Sequence, residues 1–145
     1  MPIARRPGYA TALGSYIAPP EVVVPAGGLS AGIAVAIVDV GGVSEYRPCG
    51  ALPADWADCL VGFLYMDAEA GGRAKIMVGR GSIVQPLVEG AVSLVPNVDV
   101  YLSTVPGRVT QTNLNVATMR RIKLGHAIST TQMALVTDMR YVMAG

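Results

Sequence analysis

His126 is the only histidine in the 145 residues, so no multi-histidine metal site can form and any histidine base would have to be this one. It lies in "IKLGHAIS", where strand alternation would put Leu124, His126 and Ile128 on one face. That predicts a half-buried, hydrogen-bonded imidazole rather than a catalytic base. A Ser-His-Asp arrangement would have to recruit it, and the sequence has no GxSxG elbow to present the serine. The carboxylates are scattered singly. The closest, Asp55 with Asp58 and Asp67 with Glu69, fall in turn-like segments, where short acidic side chains favour local backbone bonds, and no dense calcium loop appears. "VGRGS", residues 78–82, has a GxG core without the third glycine or the following helix of a nucleotide fingerprint, and reads as a tight turn or bulge. Lys75 follows a hairpin loop but lacks the flanking residues of a swinging-arm lysine. Cys49 and Cys59 are ten positions apart, which is no metal or redox spacing; they read as two buried thiols, with a single disulfide as the other outcome. These residues predict no catalysis, no cofactor and no metal.

The elements around these residues carry the information. Hydrophobic residues make up 52% of the chain and charged residues 14%, against about 25% in an ordinary domain. So few charges leave apolar surface to be covered by a membrane or by partner subunits. The most apolar window, "GLSAGIAVAIV" at 28–38, is far shorter than the roughly 20 residues of a spanning helix. Arg5 and Arg6 are followed by "PGYATALGSYIAPP" rather than an apolar run, which predicts no signal peptide. Self-association or assembly is the expected outlet. A net charge of +1 gives no field to attract nucleic acid. Arg120, Arg121 and Lys123 form the one basic cluster, read as charges that protect a strand edge.

Seventeen glycines and ten prolines punctuate the chain at short intervals, with β-branched runs between them. This spacing predicts an all-β domain of short antiparallel strands near 33–39, 43–47, 59–66, 73–78, 82–88, 98–103, 108–112, 121–128 and 132–141, closed as a small β-barrel or β-sandwich. Gly41-Gly42 has the chemistry of a two-residue primed turn, and Pro106-Gly107 that of a type I or II hairpin tip. "LPADWADCL" at 52–60 resists the strand reading. A helical turn or short lid there would let Trp56 plug one end of the domain, or serve as an interface anchor. Residues 1–20 lack a clean period and are bracketed by prolines. Their Ile3, Tyr9, Leu13, Tyr16 and Ile17 exceed what a solvated tail carries. They are expected to form an extended N-terminal arm on a domain at 21–145. The arm residues Ile3, Arg5, Arg6, Tyr9, Leu13, Tyr16 and Ile17, with Trp56, are the expected partner contacts.

The order of the pieces adds more. "AGIAVAIVDVGGVSEYRP", "CLVGFLYMDAEAGGRAKIMVGRGSIVQP", "VYLSTVPGRVT" and "IKLGHAIST" follow one another across residues 31–135. This succession resembles the head decoration, or capsid cement, proteins of tailed bacteriophages. The resemblance implies a small β-domain, commonly a homotrimer, that binds the major capsid protein on the outside of an icosahedral shell and stabilises it without catalysis. It implies a virion location for a protein made in the host cytoplasm, with no nucleic acid, membrane or cofactor partner. Residues 1–20 and 48–58 extend beyond the family pattern and are the candidates for subunit or lattice contacts. A phage fibre, spike or baseplate subunit that recognises a host surface is the alternative.

Overall fold

The computed structural model describes residues 16–17, 22–52, 60–72, 74–112 and 122–136. Ten strands are assigned in it: β1 (Tyr16–Ile17), β2 (Ala34–Val40), β3 (Val43–Pro48), β4 (Leu60–Leu64), β5 (Ile76–Met77), β6 (Ile83–Val84), β7 (Asp99–Leu102), β8 (Val109–Thr110), β9 (Lys123–Ala127) and β10 (Met133–Leu135). Among the described residues there is no α-helix, only a 3-10 turn at Glu89–Ala91. The strands form two antiparallel five-stranded sheets, in the orders β1-β5-β4-β2-β3 and β6-β10-β9-β7-β8. The all-β expectation holds, in its sandwich-like form rather than as a closed barrel. One parallel bridge, Val88 to Val109, ties the chain beyond β6 to the outer edge of β8, but it does not extend into a closing ladder.

Local chemistry explains the first hairpin. Val40 pairs directly with Val43, so Gly41 and Gly42 are the whole loop, and both take positive φ (61° and 87°), as a primed turn demands. The strand leading into it is not half-wet. Ala34, Val35 and Ala36 are all fully buried, and only Asp39 and Val40 emerge towards the turn. A strand covered on both faces reads as an unbroken apolar run, which is how "AGIAVAIV" reads.

The second hairpin, β4 with β5, pairs Phe63 with Met77 and Leu64 with Ile76. Its long loop does not hang free. Leu29 and Ala68 exchange backbone bonds of 2.9 Å in each direction, Gly71 N donates to Val24 O at 2.7 Å, and Ala31 N donates to Asp67 Oδ1 at 2.8 Å. Asp67 therefore serves a segment 36 residues away in sequence. The same 22–31 segment covers the outer edge of β3, where Val23 N donates to Ser44 O and Tyr46 N donates to Val23 O. Covering an edge in this way removes a site of unwanted pairing.

The β7–β8 hairpin links the two sheets. Tyr101 pairs with Thr110 and Leu102 with Val109, and the Pro106-Gly107 tip then reaches into the other sheet. Gly107 N donates to Cys49 O at 2.7 Å, Ala34 N donates to Gly107 O at 3.0 Å, and Ala51 N donates to Ser103 O at 2.8 Å. Side chains from both sheets share one core, with Tyr46, Phe63, Leu64, Ile76 and Met77 meeting Leu102, Leu124, Met133 and Leu135. Cys49 lies fully buried in it; Cys59 is outside the described residues.

One expectation needs amendment. His126 is exposed, not half-buried, and does not share a face with Leu124, which is fully buried. A bulge is the cause: the register with β7 runs from Val100–Gly125 to Tyr101–Lys123, leaving Leu124 as the extra residue. The alternation flips there, so Lys123 and His126 face outward while Leu124 and Ala127 face in. Of the residues expected to form the arm, two are described. Tyr16 and Ile17 pair with Met77 and Ile76 of the same chain as the outer strand of the first sheet.

Tyr46 carries a pH-dependent consequence. It is 0% exposed, its hydroxyl has no partner among the described residues, and burial pushes its pKa up to about 12 from 10.0. The folded chain keeps the phenol protonated where the unfolded chain ionises. The associated stability is therefore complete below pH 10 and is lost as pH rises towards about 12. Tyr46→Phe is expected to remove this loss, about 1–1.5 kcal/mol at pH 11, and to leave stability at pH 7 unchanged or about 1 kcal/mol higher, because a buried unmatched hydroxyl is deleted. Urea melts of both proteins at pH 7 and pH 11 test it; the same alkaline loss in both would contradict this account.

Candidate interaction surface

Ile3, Arg5, Arg6, Tyr9, Leu13 and Trp56, expected as partner contacts, lie outside the described residues. Tyr16 and Ile17 form β1. The described residues gather a different surface, which sequence reasoning missed, on the connection from β6 to β7.

This connection, "EGAVSLVPNV" at 89–98, is pinned at both ends and in the middle. Arg108 Nη1 donates to Val88 O at 3.2 Å, and the hydroxyl of fully buried Ser103 donates to Glu89 Oε1 while accepting from Val105 N at 2.9 Å. Leu94, 2% exposed, plugs the core, and its N–H donates to Thr130 O at 2.8 Å. The amide of Gln111 clamps the residues just beyond Leu94. Its Oε1 accepts from Val95 N at 2.7 Å, and its Nε2 donates to Val95 O at 2.9 Å and to Val98 O at 3.2 Å. Asn97 N donates to Ala127 O at 2.7 Å.

The segment makes two excursions into the left-handed region at residues other than glycine, Ala91 (φ 55°) and Asn97 (φ 67°). Such conformations cost roughly 1–3 kcal/mol each for ordinary residues and persist where surrounding bonds over-determine them. Here the bonds do so, and the result turns Val92, Val95 and Val98 outward at 61%, 58% and 39% exposure. Two adjoining depressions flank Val92. One, of about 280 Å³, is lined in part by Pro86, Leu87, Arg108 and Thr130. The other, of about 510 Å³, is lined in part by Val95, Val98, Thr110 and Gln111. Both share Val88, Val92 and Ser93 as a common wall.

A stiff, nearly uncharged surface of methyl groups and hydroxyls is suited to burying apolar area against another macromolecule. Its charged lining is Glu89 and Arg108 alone, while Lys123 with Asp99 (3.3 Å) and Arg47 with Glu45 (2.7 Å) pair elsewhere. Among the described residues no group of three or more His, Cys, Asp or Glu side chains gathers, and no helix is long and apolar enough to cross a membrane. The signal available in the sequence was the three-residue spacing of Val92, Val95 and Val98 around Leu94.

No protein-family model matches the chain, and neither the curated proteins nor the solved structures yield a match.

Proposed function

We propose that this chain is a structural virion protein, a decoration or cement protein that binds the major capsid protein on the outer surface of a phage shell and stabilises it without catalysis. The observation that carries this reading is the succession of four hairpin and strand motifs across 31–135. Those stretches carry β2 to β9, and β10 follows the last of them within three residues. The interlocked β7–β8 tip supports it as well, since a shell-binding body has to stay rigid under load. So does the apolar, pre-shaped surface at 88–98, because ordering before binding reduces the entropy lost on binding.

A protein that binds the assembled shell and not its dissociated parts stabilises the shell by mass action, by about 2.7 kcal/mol per site at a hundredfold excess over Kd. Copies associate with one another, as a trimer in this proposal, which multiplies weak individual contacts. The test is to add purified protein to undecorated shells of the particle that encodes it. The expected result is added density on the outer surface by electron cryomicroscopy, with shell disruption moved to higher temperature. Density confined to the tail, or no change in shell stability at full occupancy, would overturn the proposal.

A further inference from the structure

We propose that the ridge carried by Val92 and Val95 is the face through which copies of this chain associate, the ridge of one copy seating in the larger depression of the next. This deepens the self-association part of the proposed function and rests on it. Three observations select a second copy as the occupant.

The first is complementarity within one face. A projecting apolar wall, Val92 at 61% exposure, stands beside a depression of about 510 Å³ that Val95, Val98 and Thr110 help to line. Knob and hole adjoin on the same surface, so a rotation can satisfy both at once, and head-to-tail contacts that close give a ring. The second is charge. The charged side chains lining the two depressions are Glu89 and Arg108, and both are engaged within the chain, with Ser103 and with the carbonyl of Val88. The two charges are of opposite sign and sum to zero, so a partner meets no net charge on this face, and an identical copy of the face meets that requirement. The third is pre-organisation. The Gln111 clamp and the left-handed Ala91 and Asn97 hold the valines outward before any partner arrives. No internal packing gains from that arrangement, since Leu94 alone of this run fills the core.

The experiment is sedimentation equilibrium of the full chain, comparing wild type with Val92→Lys, Val95→Lys and their double variant. A Val40→Lys/Val43→Lys variant at the exposed β2–β3 tip serves as a control. Wild type and the control are expected to associate alike. Each ridge substitution is expected to weaken association at least about tenfold, as for a valine lost from a buried contact, and the double variant to sediment as a 15.0 kDa monomer. The milder Val92→Ala/Val95→Ala pair, with an unchanged far-ultraviolet spectrum, separates lost contact from lost fold and should also weaken association. A monomeric wild type, or ridge variants that associate as wild type does, would overturn the inference. Loss of shell binding by ridge variants of a monomeric wild type would assign the face to the shell, also against it. Failure of shell binding alone, with association following the ridge, would count against the proposed function and not against this face.

Discussion

Gly107→Ala is expected to destabilise the fold by roughly 3 kcal/mol and to lower Tm by about 10 °C in a chain of this size. Two penalties add. Gly107 has φ 82°, where a Cβ costs about 1–2 kcal/mol. The added Cβ would also collide with Ile33 Cγ1 and lie 2.8 Å from Ile33 Cδ1 and 3.3 Å from Pro48 Cβ, and forced overpacking costs about 1–3 kcal/mol. The tip cannot retreat from them freely, because the Gly107 backbone is held on both sides by Cys49 O and Ala34 N. Gly41→Ala isolates the backbone part, since φ is 61° there and nothing lies within 4 Å of the new methyl; about 1 kcal/mol is expected. Ile33→Ala in the Gly107→Ala background should recover the steric part and leave the φ penalty, giving a coupling of about 1–2 kcal/mol in a double-mutant cycle. Equal melting temperatures for Gly41→Ala and Gly107→Ala would show that the tip does not lock the two sheets together.

That glycine also marks where the sequence stopped being informative. The pair Pro106-Gly107 announced a turn, and a turn is present. What it could not announce was that the tip is an internal joint, because Cys49 and Ala34 are remote in sequence and their carbonyl and amide groups carry no residue-specific signature. The Gly41-Gly42 hairpin was fully legible, as its register depends on two residues and their φ angles. His126 was misplaced for a definable reason. Alternation is a rule of period two, and one extra residue at Leu124 inverts everything after it. The outward valines of 89–98 were hidden for the opposite reason. Leu94 and Val95 are chemically alike, and only the Gln111 clamp and the bond from Leu94 to Thr130 decide which points in.

Removing residues 1–20 is expected to leave a folded domain but to weaken its hold on the shell by at least about a hundredfold. The fold survives because the arm contributes only β1 to the described structure, and β1 pairs just two residues at a sheet edge. Its backbone bonds are worth about 1 kcal/mol each, and fixing each residue costs about 1–2 kcal/mol of backbone entropy. So β1 nearly cancels itself, and its loss should change stability by no more than about 1–2 kcal/mol. The shell is different under the proposed function. Ile3, Tyr9 and Leu13 precede β1, and each contributes roughly 1.5–3 kcal/mol if a partner buries it. These anchors alone do not offset the ordering of the arm. Backbone pairing with a partner's strand edge and the limited freedom that the prolines leave the unbound arm must supply the rest of the roughly 2.7 kcal/mol behind a hundredfold change. Deletion of residues 1–15 separates the contributions, since it removes those anchors and keeps Tyr16 and Ile17 on β5. Weak shell binding by both truncations would place the contact in the anchors. Weak binding by the longer truncation alone would place it in β1 or in residues 18–20. The longer truncation also bares the edge of β5 at Ile76 and Met77, and an open edge invites pairing with other chains. It should therefore show concentration-dependent aggregation that the shorter one lacks, measured by light scattering after brief warming. A truncated protein that decorates shells with unchanged affinity would make the arm a passive tail. One that fails to fold would make β1 a structural strand of the core, and the division of the chain at residue 20 would be wrong.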